Sequence, residues 1–186
     1  MLMARNTTST ALSPTRISRT IFFLLGFWAL SIIIFDSGNL ITRESVIQRW
    51  VAGSIILGVN TLLWYWGAQK KSSTNTKSLL VMLLTLSLIG FAGFVTYWER
   101  GMASTSTLLY ALPILVAATL HNRHLLLATA TLSAGTYALA AVLYFNTNFN
   151  EGFRIQLWGH IVLYVGAIFC ISWLTMIVAG LRHDSR

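Results

Sequence analysis

Glu99 and Arg100 stand side by side between long uncharged runs, and Gly101 and five small or hydroxyl-bearing residues, Ala103 to Thr107, follow them closely. An acid, a base and several hydroxyls in so short a stretch suit the binding of a polar headgroup. With His160 they also contain the parts of a proton-transfer site. Headgroup contact is the simpler role for Glu99, Arg100 and His160. His121 and His124 share one helical face at a spacing that suits a divalent metal, but no carboxylate or cysteine accompanies them, and no metal is expected there. Proteolysis within a membrane would need a Ser/His pair, paired aspartates or a zinc motif at matching depth. Asp36 lies at the edge of an apolar run, Asp184 lies in the tail, and His-Glu-x-x-His does not occur. The expectation is a chain without enzymatic activity and without a cofactor.

These groups must be positioned by elements that are overwhelmingly apolar. Of the 186 residues, 55% are hydrophobic and 10% charged, whereas soluble domains carry roughly a quarter charged residues. An aqueous fold of this length has no core large enough for so much apolar surface, so lipid is its expected solvent. Uncharged runs cover 20 to 35, 50 to 69, 78 to 98, 101 to 122, 124 to 150 and 155 to 181. A helix crosses a hydrocarbon core of roughly 30 Å in about 20 residues. Five runs reach that length, and the first reaches it if Arg19 snorkels outward. The runs do not alternate in polarity as barrel strands do. The expected fold is all-α: a polytopic membrane protein whose residues 20–181 form a six-helix transmembrane bundle.

The net charge of +8 follows topology. Arg5, Arg16, Arg19, Lys70, Lys71, Lys77, Arg123, Arg182 and Arg186 fall on one side of such a bundle. Only Arg43, Arg49, Arg100 and Arg154 fall on the other, where Asp36, Glu44, Glu99 and Glu151 offset them. The Lys and Arg excess marks the cytoplasmic face, so both termini are expected inside, in contact with membrane lipid and not with nucleic acid. Residues 1–19 read as a disordered basic tail, a composition shared with organellar transit peptides, and 182–186 as a second short cytoplasmic tail.

Taken in order, the first helix is expected at about Thr20 to Phe35. A short surface helix carrying Leu40, Ile47 and Val51 on one face should follow, then a second span from Trp50 to Trp66. Asn60, the one amide in that span, is expected to hydrogen-bond across a helix interface. Gly90 and Gly93 suit close helix approach in a third span, Ser78 to Tyr97. Pro113 should kink the fourth, with Thr105, Ser106 or Thr107 satisfying the carbonyl it frees. Ala130, Ala134 and Ala138 form a packing stripe on the fifth helix. On the sixth, Cys170 reads as a small buried residue and His160 as an interfacial imidazole with a pH-sensing or ligand-contacting alternative.

The run from Gly101 through Leu108-Leu109-Tyr110-Ala111-Leu112-Pro113-Ile114-Leu115-Val116-Ala117-Ala118 resembles the third-to-fourth helix hairpin in the six-helix membrane sensor domains of bacterial histidine kinases. The match is close over about twenty residues and general over the six-helix plan. Arg100 stands where that family has the first glycine of a pair, and no Asn-Pro-Phe follows. Neither a phospho-accepting helix nor an ATP-binding domain lies within these residues, so no kinase activity is expected. The resemblance implies a bacterial inner membrane and, from its redox-responsive branch, a quinone-like ligand near Gly101 to Tyr110.

The resulting expectation is a sensor-like or partner-binding membrane module. Its candidate ligand residues are Trp98, Glu99, Arg100, Gly101, Tyr110, Pro113 and His160, and its partner is an apolar ligand, another membrane protein or a second copy of the chain. The alternative is a small transporter or channel component for an uncharged substrate, because no span carries Asp, Glu, Lys or Arg at mid-depth.

Overall fold

The computed structural model describes residues 14–69, 73–99, 101, 104–148 and 154–181. They are helical nearly throughout: α1 (Pro14–Ser37), α2 (Arg43–Ala68), α3 (Thr74–Trp98), a 3₁₀ segment (Thr105–Tyr110), α4 (Ala111–Ala118), α5 (Arg123–Asn148) and α6 (Arg154–Val178). Five of these, α1, α2, α3, α5 and α6, are long and apolar enough to cross a membrane. This is the architecture of a helical membrane bundle.

Three of the helices, α2, α3 and α5, begin where the sequence offers a cap. Thr42 Oγ1 accepts from the Ser45 amide at 3.3 Å, Ser73 Oγ from Thr76 at 3.3 Å, and Asn122 Oδ1 from His124 and Leu125 at 3.0 and 3.2 Å. α1 is described from Pro14, and 14–19, expected as disordered tail, are helical; residues 1–13 and 182–186 lie outside the described residues. The expected surface helix is likewise absorbed. Once Thr42 caps the chain, Arg43 to Val51 are the first turns of α2, with Leu40, Ile47 and Val51 all exposed.

Two apolar clusters meet along α3. One joins α1, α2 and α3 through residues such as Ile21, Ile56, Leu84 and Leu88. The other joins α4, α5 and α6 through Ile114, Leu126, Tyr137 and Ile161, and takes in Ala92 of α3. Asn60 fastens the first: its amide donates to the Ser18 carbonyl of α1 at 3.0 Å, the cross-helix bond expected of it. In the second, Ala130 and Ala134 are buried and Ala138 packs against the cluster. Gly93, not Gly90, makes the close approach. A Cβ on Gly93 would meet Thr136 Cγ2 of α5, whereas one on Gly90 would meet nothing within 4 Å. Cys170 lies on the exposed face of α6 instead of inside the bundle.

The fourth element departs most from expectation. Pro113 falls in the first turn of α4, so it bends no long helix; its missing N–H coincides with the 3₁₀-to-α junction at Tyr110. Six residues of 3₁₀ and eight of α-helix reach roughly 24 Å, short of a ~30 Å core. Contacts still fix the direction of this segment. Gly93 sits against Thr136, and Tyr97 meets Tyr144 with ring centroids 6.2 Å apart, so α3 and α5 run parallel. The short segment must therefore run back along α3 between them, and it does so with Tyr110, Pro113, Ile114 and Ala117 buried.

Candidate functional site

At the end of the bundle where α3 finishes, Arg49 and Glu99 form an ion pair, Nη2 to Oε1 2.8 Å. It is the one salt bridge among the described residues. The side chains are only 16% and 10% exposed, a placement that costs desolvation unless further bonds are made. The carboxylate has such bonds, whereas Arg49 Nε has no partner in the protein. Glu99 Oε2 accepts from Ser104 Oγ at 3.2 Å and from Ser106 Oγ. Ser104 Oγ in turn accepts from the Ser106 amide at 3.1 Å and so caps the 3₁₀ segment. The Arg49 guanidinium carbon lies 6.0 Å from the Trp28 ring centroid and 5.7 Å from that of Phe35, within cation–π range. Trp28 Nε1 donates to the Arg49 carbonyl at 3.4 Å. One carboxylate thus holds α2, the end of α3 and the start of the returning segment, and one guanidinium adds α1.

Beside this pair lies a void of about 10 Å³, lined by Gln48, Arg49, Trp98 and Glu99 together with Ala52 and Phe94. Ala52 and Phe94 also line an apolar groove of about 280 Å³ between α2 and α3, which continues past Ile55, Ile56, Phe91 and Gly90 to Val59 and Ser87. The groove spans roughly two helical turns, about 10 Å. Its floor is open because Gly90 has no side chain and no neighbour within 4 Å. An apolar slot therefore ends at a charged, hydrogen-bonding head, the usual composition of a site for a molecule with an apolar body and a polar end.

The sequence-nominated residues divide among three places. Trp98 and Glu99 line the void at the head of the groove. Gly101 adopts φ +58° and is buried beneath Tyr144, where a Cβ would come within 2.7 Å of that residue's Cβ. It closes the hairpin turn and touches nothing in the groove. Arg100 lies outside the described residues. Tyr110 and Pro113 are buried inside the α3–α5 half. His160, on α6, donates from Nδ1 to the Gln156 carbonyl at 2.8 Å and stacks on Tyr164, 6.1 Å between centroids. Of the three hydroxyls expected to relieve Pro113, that of Ser106 gives its proton to Glu99 instead.

Arg49 is the site residue that sequence reasoning missed, whereas Ser104 and Ser106 fall within the hydroxyl-rich stretch it marked. Arg49 sits fifty positions from its partner. The available signal was its place at the mouth of a span on the same expected side as Glu99. Comparison of the chain with known protein families, with characterised proteins and with solved structures finds no match.

Proposed function

We propose that the chain is a non-enzymatic membrane module that binds an amphiphile, the apolar body in the α2–α3 groove and the polar end at Arg49 and Glu99. The turn that holds Trp98, Glu99 and Gly101 responds to it. The continuity of groove and ion pair through Ala52 and Phe94 carries this reading. Ionisable pairs in a membrane bundle are expensive and usually functional. A polar ligand group that competes for Arg49 or Glu99 would loosen the hairpin from α2 and bias the position of the segment that follows. In this reading the short fourth element crosses the membrane, making six crossings with both termini on the cytoplasmic side of a bacterial inner membrane. The parallel course of α3 and α5 supports the crossing, and the Lys and Arg distribution supports the orientation.

Native mass spectrometry of the protein extracted from its own membrane in mild detergent tests this. Wild type is expected to carry a stoichiometric amphiphile mass, lipid or quinone-like. Gly90→Leu, which fills the groove without touching the fold's contacts, should lose it. A bare wild-type chain, or equal retention by Gly90→Leu, would sink the proposal. A bound protein in place of a small mass would shift the assignment to a partner-binding module.

A further inference from the structure

The described charges separate by end of the bundle. Asp36, Glu44 and Glu99 lie where α1 and α3 finish and α2 and α6 begin, together with Arg43, Arg49 and Arg154. At the opposite end stand Arg16, Arg19, Lys77 and Arg123, with no acid among the described residues there. Arg16 and Arg19 are exposed and have no acidic partner among the described residues. Three residues apart on α1, they share one face of the helix. Two planar guanidinium forks on one face suit the oxygens of a phosphate group.

That face continues into apolar chain. Thr20, Phe23, Phe27 and Leu30 follow the arginines at helical spacing, and all are exposed. Arg19, Phe22, Phe23, Gly26, Phe27 and Leu30 line a hollow of about 560 Å³, so the cation and the apolar trough below it are one feature. The trough is open at Gly26, where a Cβ would meet nothing within 4 Å. A second hollow, of about 270 Å³, lies between α1 and α2 and reaches Trp28, Gly53 and Leu57. It shares Phe22 and Gly26 with the first. Two apolar troughs therefore diverge from a common wall that begins within one turn of Arg19. From Arg19 to Leu30 is roughly 16 Å of helix, about half of a ~30 Å hydrocarbon core and so one leaflet deep.

We infer that this face of α1 is a binding site for one anionic diacyl phospholipid, its phosphate on Arg16 and Arg19 and its two acyl chains in the troughs that share Phe22 and Gly26. Charge selects this occupant. A second copy docked by the same face across a twofold axis would bring arginine against arginine. A zwitterionic lipid carries an ammonium group beside its phosphate, whereas an anionic one neutralises the cations outright. The site shares no lining residue with the α2–α3 groove or with the void at Arg49 and Glu99.

Native mass spectrometry of the whole protein, delipidated and then titrated with equal phosphatidylglycerol and phosphatidylcholine in detergent, tests this. Wild type should retain one phosphatidylglycerol in preference to phosphatidylcholine. One basic side chain beside an anionic lipid is worth about fivefold in affinity. Arg19→Gln should therefore cut the preference about fivefold, and Arg16→Gln added to it by a similar factor again. Gly26→Leu displaces no protein atom, yet it should lose the lipid with both arginines in place. Lys77→Gln, at the same end of the bundle, and Gly90→Leu, in the other groove, should keep it. No preference in wild type, full retention by Gly26→Leu, or equal losses in Lys77→Gln and Arg19→Gln would overturn the inference. So would a dimer mass that Gly26→Leu abolishes. Loss with Gly90→Leu alone would also overturn it, by placing the lipid between α2 and α3, and would leave the amphiphile reading of that groove standing.

Discussion

Arg49 and Glu99 show why a charge pair inside an apolar bundle is a statement about geometry more than about strength. Deleting one partner leaves the other desolvated and costs about 3–5 kcal/mol, whereas replacing both by apolar groups of similar volume is often neutral or stabilising. Arg49→Met is therefore expected to lower the thermal midpoint sharply, and Arg49→Met with Glu99→Met to recover much of that loss. Simple additivity of the two single losses would show that the carboxylate and guanidinium act separately. The serines sharpen this logic. With Ser104 and Ser106 donating to Glu99, the carboxylate is not free to follow solvent, so breaking the pair also frees the 3₁₀ segment from its cap. The Arg49–Glu99 pair was not visible as a local motif, because a charge in one span and a charge in another declare themselves as partners only when the helices are placed side by side.

Among the elements, α3 carries the architecture. Its apolar window is 61% buried, against 17% for α6, since it faces α1 and α2 on one side and α4 and α5 on the other. Where it meets α5, Gly93 leaves room for Thr136 and for nothing larger: the Cβ of an alanine would lie 2.4 Å from Thr136 Cγ2. Gly93→Ala should destabilise by about 1–3 kcal/mol, the cost of overpacking a closed contact. Thr136→Ser removes the clashing methyl, and its pairing with Gly93→Ala should restore most of the loss in a thermal unfolding series in detergent. No recovery would mean that the glycine is needed for a reason other than space. The sequence marked Gly90 and Gly93 alike as sites of close approach. They differ because Gly93 faces a helix and Gly90 faces the open groove, a distinction of rotational phase and neighbour that residue type does not encode.

At the scale of the molecule, the proposed crossing by the short fourth element puts Leu40 and His124 on opposite sides of the membrane. Leu40→Cys and His124→Cys, each in a Cys170→Ser background, should then react oppositely with a membrane-impermeant maleimide on intact cells, Leu40→Cys labelled and His124→Cys protected. Equal labelling of both would show that the segment turns back on the side where it entered. A helix this short is tolerated because one face of it, with Tyr110, Pro113, Ile114 and Ala117, is buried against its neighbours.

The sequence by itself determined the solvent and the class of fold. Long uncharged runs have no other way to satisfy their backbones than helices, and five of the runs became the long helices of the structure. It also marked Trp98 and Glu99 as unusual and Asn60 as a cross-helix tie, because polar groups in such a chain are few and each needs a partner. Tertiary structure alone decided that the fourth run would form only a short 3₁₀ and α segment, and that Ser106 would serve Glu99 instead of the backbone near Pro113. It alone also decided that Tyr110 and His160 would sit away from the α2–α3 groove and that Arg49 would complete the pair. These outcomes depend on which helix faces which, at what depth and with what rotation. Such quantities are set by the packing of whole faces, which neighbouring residues in sequence do not record.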